Sequence, residues 1–267
     1  MSQSVIKHYA KVWSSIIKAS VIREMEFRTN FILGIIRQTL WLFAFIFIIE
    51  TIFNNTQELA GWAKPEALLI VAISRIIEGI MNTFFAPNIM RFPQTVRDGT
   101  FDFHLLKPIN VQFYTAIKQF GLYNIGNVIA GIALFIYIIP QLPKTPTTEE
   151  WMLFILLIAC GLTIFYSFFI LIASLVFFME RLEALWGFMS LFSEPLTVPF
   201  GVFPRAPRIA ITYIIPIAFI VFVPAQALTN RLTTTNTILA VIFAGLFLFL
   251  ANMAWKAGLK NYTSASS

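Results

Sequence analysis

Residues Trp151–Met179 read WMLFILLIACGLTIFYSFFILIASLVFFM, 29 positions without a charged side chain. A helix rises about 1.5 Å per residue, and the hydrocarbon core of a bilayer is about 30 Å thick, so about 20 apolar residues suffice to span it. This run exceeds that length, and we expect the helix to tilt or protrude. Membrane-spanning strands are about ten residues long and alternate in polarity, so the run predicts a helix.

The composition of the whole chain agrees with this reading. The 267 residues are 58% hydrophobic and 12% charged, whereas soluble domains average about 25% charged residues. We therefore predict one all-α integral membrane protein. The net charge is +6, and the basic residues lie beside the apolar runs, where they set membrane topology. The charge therefore predicts no nucleic-acid partner. The one cysteine, Cys160, excludes an internal disulfide.

The N-terminal segment differs from the rest of the chain. Val5–Ser20 places an apolar stripe opposite basic side chains, a pattern typical of an amphipathic helix lying in the membrane interface. A helix packed on a partner protein is the alternative. We assign residues 1–30 to this segment and residues 31–267 to a transmembrane domain.

Six spans are predicted within the transmembrane domain. Prolines, Pro216 and Pro224 among them, interrupt residues 204–230, which we interpret as a re-entrant hairpin before the last span. The predicted spans are Phe31–Phe53, Glu66–Ala86, Gln112–Ile139, Trp151–Met179, Ala184–Phe203 and Thr237–Trp255.

The distribution of Lys and Arg predicts the orientation. With six spans, 13 of these residues lie on the side of the N-terminus, 5 lie on the opposite side, and Arg75 lies within the membrane. Basic residues are enriched in cytoplasmic loops. Both termini are therefore predicted to be cytoplasmic, together with the loop of residues 89–111 between spans two and three.

That loop contains a polar island, Arg97–Pro108, with the sequence RDGTFDFHLLKP. It concentrates charged residues between two long apolar runs, so it must contact water. Its Phe and Leu side chains make it adhesive as well as polar. The island is either a docking element for a soluble partner or an ordinary loop anchored on the bilayer, and chemistry alone leaves both readings open.

Polar residues inside the predicted spans form a second group of candidates. Arg75 and Glu78 share a helix face at i, i+3 and can pair, while Asn124 and Asn127 share a face of span three. Intramembrane charges usually face protein or water. These residues either fix helix packing or line a translocation path or subunit interface, and Glu78 is the one candidate proton site.

The sequence contains little that supports catalysis. No glycine opens a G-x-x-x-x-G-K-[ST] phosphate-binding loop, and the two histidines, His8 and His104, are far apart in the sequence. No Ser-His-Asp set or metal-ligand spacing emerges. We therefore expect no enzyme, no metal and no cofactor on this chain, and any ATPase that drives it must be another chain.

The chain resembles the permease subunits of type-2 ATP-binding-cassette (ABC) exporters, and among them a bacterial branch of permeases of this length. The resemblance rests on the six-span plan with a basic N-terminal helix, the late proline-rich segment, and a G-x-x-D-x-x-L-L-K-P run. In this sequence the run is Gly99, Asp102, Leu105, Leu106, Lys107 and Pro108.

The resemblance implies a multi-pass protein of the bacterial cytoplasmic membrane in which two permease chains, identical or paralogous, pack side by side in the bilayer. Each docks a cytoplasmic ATPase, which binds ATP and Mg, through a coupling helix between spans two and three. The implied cargo is amphipathic or hydrophobic; a proton-coupled secondary carrier using Glu78 is the alternative. The implied coupling residues are Arg97, Asp98, Gly99, Phe101, Asp102, Leu105, Leu106, Lys107 and Pro108.

Local chemistry gives these residues expected roles. Gly99 supplies a tight turn, Thr100 or Asp102 caps a short helix, and Pro108 ends it. Phe101, Phe103 and Leu106 are expected to fill a groove on the ATPase. Arg97 and Lys107 are expected to pair with acidic groups around that groove.

Overall fold

The computed structural model describes residues 3–26, 28–179, 196 and 200–262. Apart from a hairpin of two strands with two residues each, the regular elements of this part of the chain are helices. They are α1 Gln3–Glu26, α2 Arg28–Phe53, β1 Glu58–Leu59, β2 Trp62–Ala63, α3 Lys64–Phe84, α4 Ala86–Arg97, α5 Asp102–Leu105, α6 Val111–Ile117, α7 Ile125–Ile138, α8 Thr148–Ser174, α9 Arg205–Ile209, α10 Ala218–Leu228 and α11 Thr234–Asn261. Short 3₁₀ turns cover Leu122–Asn124, Ile139–Gln141, Leu175–Phe177 and Phe200–Val202, and a π turn covers Ala210–Ile214.

The prediction of an all-α membrane protein is confirmed. Among the described residues, five helical segments are long and apolar enough to cross a membrane. The predicted span Ala184–Phe203 lies almost wholly outside the described residues. The five segments are Arg28–Phe53, Lys64–Arg97, Leu122–Gln141, Thr148–Phe177 and Thr234–Asn261.

Helix α3 lies at the centre of the bundle. It packs against α7 on one side and α10 on another, while α8 packs against α10 and α11. Glycines allow the closest approach: an added Cβ on Gly131 of α7 would lie 2.9 Å from the backbone nitrogen of Ile76 in α3. Gly131 therefore lies on a helix-packing face of α7.

The start of the third span differs from the prediction. Instead of one helix from Gln112, α6 ends at Ile117 and the span resumes at Leu122. The chain can leave the helix here because other elements satisfy its polar backbone groups. Asn88 bonds both the N–H and the carbonyl of Gln119, Ser20 accepts from the N–H of Phe120, and the Gly121 N–H donates to the Thr83 carbonyl.

The amphipathic helix is longer than predicted and packs on this break. Trp13 of α1 stacks on Phe84 at the end of α3, with ring centroids 6.0 Å apart, and meets Phe120 edge-on at 5.8 Å. These contacts bring α1 to the end of the bundle that carries residues 97–110, which we call the loop end. The opposite end, which carries β1 and β2, is the hairpin end.

Residues Arg205–Ile214 and Ala218–Leu228 form two helical pieces bent by 95°. The bend falls at Ile215–Ile217, where Pro216 lacks the N–H that would continue a helix. The second piece, α10, is almost entirely buried. This geometry fits either a broken span or the predicted re-entrant hairpin.

Candidate functional site

Helix α4 carries the second span beyond the membrane-spanning length. It begins two residues after α3 ends, and the two together form a 34-residue helical segment from Lys64 to Arg97. About 20 residues cross the hydrocarbon core, so the segment is long enough to project beyond it. The predicted loop of residues 89–111 therefore starts as a helix, and only its second part is irregular.

The turn after α4 confirms one sequence expectation and corrects another. Gly99 adopts a positive φ of 68°, which glycine tolerates without steric cost. The predicted capping by Thr100 or Asp102 is wrong. The N-cap of α5 is Phe101 without a side-chain bond, while the Thr100 hydroxyl donates to the carbonyl of Thr95.

Phe101 is the main correction at this site. We expected its side chain to be an anchor for a partner, but it is completely buried within the chain. Its ring lies among aromatic side chains from the ends of three spans, and we call this set the aromatic cluster. The cluster consists of Phe92 of α4, Phe101, Phe177 after α8, Trp255 of α11 and Tyr262 after α11, with ring centroids 5.0 to 6.3 Å apart.

A hydrogen bond reinforces this cluster. The Tyr262 hydroxyl donates to Oδ1 of Asp102 at 3.0 Å. Burial, followed by the hydrogen bond to and the charge of Asp102, raises the pKa of Tyr262 to about 12, so the phenol keeps its proton at neutral pH. Asp102 thus bonds to another part of the fold, and the 97–108 loop is attached to the ends of spans two, four and the last.

The outer face of the same loop is exposed and partly apolar. Phe103 is 66% exposed and Leu106 is 79% exposed. Their exposure contrasts with the burial of Phe101, two residues before Phe103, because α5 is a short helix with one face packed on the aromatic cluster. The other exposed residues of the 97–108 loop are Arg97, Asp98, Thr100, Leu105, Lys107 and Pro108.

Arg75 and Glu78 form the ion pair that their spacing predicts. Arg75 Nη1 lies 3.4 Å from Glu78 Oε2, and both side chains are buried. The Arg75 guanidinium also lies over the ring of Phe45 in α2, 4.8 Å from the ring centroid. The pair holds α3 against α2, although Arg75 Nε has no hydrogen-bond partner among the described residues.

Asn124 and Asn127, both in the third span, lie beside α3. Asn124 joins three spans, since it accepts from Gln38 of α2 at 2.8 Å and donates to the Asn82 carbonyl of α3 at 3.0 Å. Asn127 is buried, and its Oδ1 has no hydrogen-bond partner in the described part of the chain. The structure thus gives Asn124 a packing contact and leaves Asn127 with an unsatisfied polar atom.

Sequence reasoning missed the residues that fix the loop from a distance. Phe177, Trp255 and Tyr262 come from the ends of other spans, and their spacing carries no sign that they meet Phe101. It also missed His104, which is buried, with Nδ1 3.2 Å from Thr115 Oγ1 and Nε2 3.1 Å from Lys118 Nζ. An aromatic residue at the end of a span was the available signal for the first group.

The comparisons with known proteins identify the family. The model of the ABC-2 family transporter proteins matches residues 39–266, most of the chain. The chain belongs to the ABC-2 transporter family. It is the membrane permease subunit of an ABC transporter, and membership implies association with a cytoplasmic ABC ATPase. No curated protein and no solved structure matches the chain.

Proposed function

We propose that this ABC-2 permease exports an amphipathic or hydrophobic substrate across the bacterial cytoplasmic membrane, driven by an ATPase that docks on the 97–108 loop. In this proposal both termini and the loop end face the cytoplasm, ATP and Mg bind to the ATPase, and a second permease copy or paralogue completes the transporter. The observation that carries the proposal is the apolar surface that Phe103 and Leu106 expose at the tip of an otherwise fixed loop.

Mechanical coupling requires both features of this loop. An ATPase that binds the outer face through Phe103 and Leu106 moves α5, and α5 is held on its inner face by Phe101 and the Asp102–Tyr262 bond. The packed core does not deform continuously, so a displacement of α5 is passed to the spans behind it. In this proposal the aromatic cluster transmits the movement to α4, to the end of α8 and to α11.

The composition of the described spans supports the proposed cargo class. The described spans contain a few buried polar groups, the Arg75–Glu78 pair among them, within surroundings that are otherwise apolar. We assign Arg75, Glu78, Asn124 and Asn127 to a polar strip beside the translocation path or a subunit interface. Such a strip together with apolar walls suits a molecule with one polar and one hydrophobic end.

The experiment is co-purification of the ATPase with variants of the loop. In Phe103→Glu/Leu106→Glu, two exposed anchors become charged, while the aromatic cluster is untouched. Because burying each anchor contributes about 1.5 to 3 kcal/mol, we expect at least a tenfold loss of bound ATPase and a matching loss of ATP-driven transport. The permease itself should extract and unfold like the wild type.

Val202→Glu is the matched control, since Val202 is 49% exposed near the hairpin end, where Gly201 approaches Ala60. It places one glutamate at an exposed apolar position away from the loop and should leave ATPase binding unchanged. Full ATPase stoichiometry in the double loop variant would refute docking on this face.

A further inference from the structure

A small open pocket lies between α4, α5 and the end of α6. We propose that it binds a phosphate group between the side chains of Arg91 and Lys118. The pocket is distinct from the exposed face of Phe103 and Leu106, and it does not require an ATPase. Its lining consists of Asn88, Arg91, Phe92, Thr95, His104, Thr115, Lys118 and Gln119.

The pocket carries uncompensated positive charge. Among the described residues, neither Arg91 nor Lys118 forms an ion pair with a carboxylate. Burial, followed by the charge of Arg91, lowers the pKa of Lys118, and no acidic group offsets this shift. Burial, followed by the charges of Lys118 and Lys107, likewise lowers the pKa of His104. Two cations, Arg91 and the partly buried Lys118, thus line the pocket beside a neutral His104, an arrangement that an anion would stabilise.

Arg91 and Lys118 also have unused hydrogen-bond donors. Arg91 uses Nη1 to bond Oε1 of Gln119, and its other guanidinium N–H groups make no hydrogen bond within the described residues. Lys118 makes one contact, to His104, and keeps two further ammonium protons. A guanidinium presents parallel donors that match two oxygens of one phosphate, and an ammonium adds a compact charge beside it.

The two cations are held in place before any ligand arrives. Asn88, one turn before Arg91 on α4, bonds both backbone groups of Gln119, the residue after Lys118. The break in span three therefore has a fixed position relative to α4. His104 is positioned by Thr115 and lies against Lys118. A preorganised set of donors costs less to order on binding than a set of mobile surface lysines.

The position of the pocket relative to the membrane surface bears on the source of the phosphate group. Trp13 of the amphipathic helix stacks on Phe84, and Arg91 follows Phe84 by seven residues, or about 10 Å along a helix. With α1 in its predicted interfacial position, the pocket lies just beyond the layer of that helix, at the level of lipid headgroups. An anionic lipid headgroup and free phosphate are the two sources of the same chemistry.

The test uses the full chain, purified in detergent without phosphate and stripped of lipid. One measurement is the rise in the midpoint of thermal unfolding caused by millimolar phosphate, compared with chloride at equal ionic strength. The other is the number of phosphatidylglycerol molecules retained in native mass spectrometry, compared with phosphatidylcholine. The variant Arg91→Gln/Lys118→Gln should abolish the phosphate-dependent rise or lower the number of retained phosphatidylglycerol molecules by one, whichever response the wild type shows. The control Lys256→Gln removes an exposed charge near the same end and should leave it unchanged.

The two measurements separate the sources. Retention of phosphatidylglycerol without a phosphate response assigns the pocket to a headgroup, and the reverse assigns it to free phosphate. Lys118→Gln also has a distinctive effect, because removing one of two facing cations should raise the unfolding temperature in the absence of ligand, whereas loss of a purely structural residue would lower it. Equal binding by the double variant and the wild type would overturn the proposal. So would a wild type that prefers neither phosphate over chloride nor phosphatidylglycerol over phosphatidylcholine.

Discussion

The hydroxyl of Tyr262 donates to Oδ1 of Asp102 at 3.0 Å and joins the end of the last span to the 97–108 loop. These residues are 160 positions apart in the chain. The same Tyr262 ring meets Phe101 edge-on, with centroids 5.0 Å apart. One side chain therefore fixes the loop both by packing and by a charge-assisted hydrogen bond.

Tyr262→Phe should separate these two contributions, because it keeps the ring and removes only the hydroxyl. We expect the loop to open more often, with hydrogen exchange at the amides of residues 101–106 faster by about tenfold, since a hydrogen bond to a charged group contributes roughly 1.5 kcal/mol. Tyr137→Phe is the control, because Tyr137 is 67% exposed on α7. Unchanged exchange in Tyr262→Phe would show that packing alone holds the loop.

The sequence was sufficient to predict the class of fold and most of the spans. Hydrophobic length decides these features, because any run such as Trp151–Met179 must cross the membrane or be buried. The Arg75–Glu78 pair was predictable for a similar reason, since both residues lie on one helix at a spacing that brings them together. The turn at Gly99 followed from the conformational freedom of glycine.

What the sequence could not reveal depends on contacts between distant segments. The prediction that Gln112–Ile139 forms one helix failed because Asn88 and Ser20 satisfy the backbone of residues 119 and 120. The prediction that Phe101 is exposed failed because Phe177, Trp255 and Tyr262 cover it. Local polarity places Phe101 and Phe103 in the same loop, but only tertiary packing decides which of them faces outward.

Gly258 of α11 allows Phe177 to reach the aromatic cluster. An added Cβ at Gly258 would lie 2.3 Å from Cδ2 and 2.9 Å from Cγ of Phe177, so the ring must move away from Phe92 and Trp255. We expect Gly258→Ala to lower the free energy of unfolding by about 1 to 3 kcal/mol and to weaken ATP-driven transport.

Gly245→Ala on the same helix is the matched comparison, because an added Cβ there meets nothing within 4 Å. This variant should be neutral or more stable by up to about 1 kcal/mol, as alanine favours helix formation. Thermal unfolding of the two variants in the same detergent tests the pair. Equal stability of Gly258→Ala and Gly245→Ala would contradict the packing role of Gly258.

The Arg75–Glu78 pair is expected to be a coupled unit inside the bundle. Arg75→Leu leaves a buried carboxylate without its partner and should reduce stability by about 3 kcal/mol or more, whereas Arg75→Leu/Glu78→Leu should recover much of that loss. Thermal unfolding of the two single variants and the double variant gives the interaction energy. Additive losses would show that the two side chains act independently in spite of their 3.4 Å separation.

His104 makes the stability of the loop end depend on pH. Burial, followed by the charges of Lys118 and Lys107, lowers the pKa of His104 from 6.5 to about 4. Its neighbours are Thr115, Lys118 and the rings of Phe101 and Tyr114, and protonation would place a new positive charge against Lys118. The unfolded chain takes up this proton below about pH 6.5, whereas the folded chain resists it down to about pH 4.

Stability should therefore fall as the pH drops through the window from 6.5 to 4, by roughly 1 kcal/mol per pH unit near its middle, and should not change from this cause above 6.5. His104→Gln keeps a polar side chain that does not titrate. Subtracting its unfolding profile from that of the wild type, measured between pH 4.5 and 7.5 at constant ionic strength, removes the contribution of the carboxylates. A difference that stays constant across the window would show that His104 takes up its proton as readily in the folded chain as in the unfolded one.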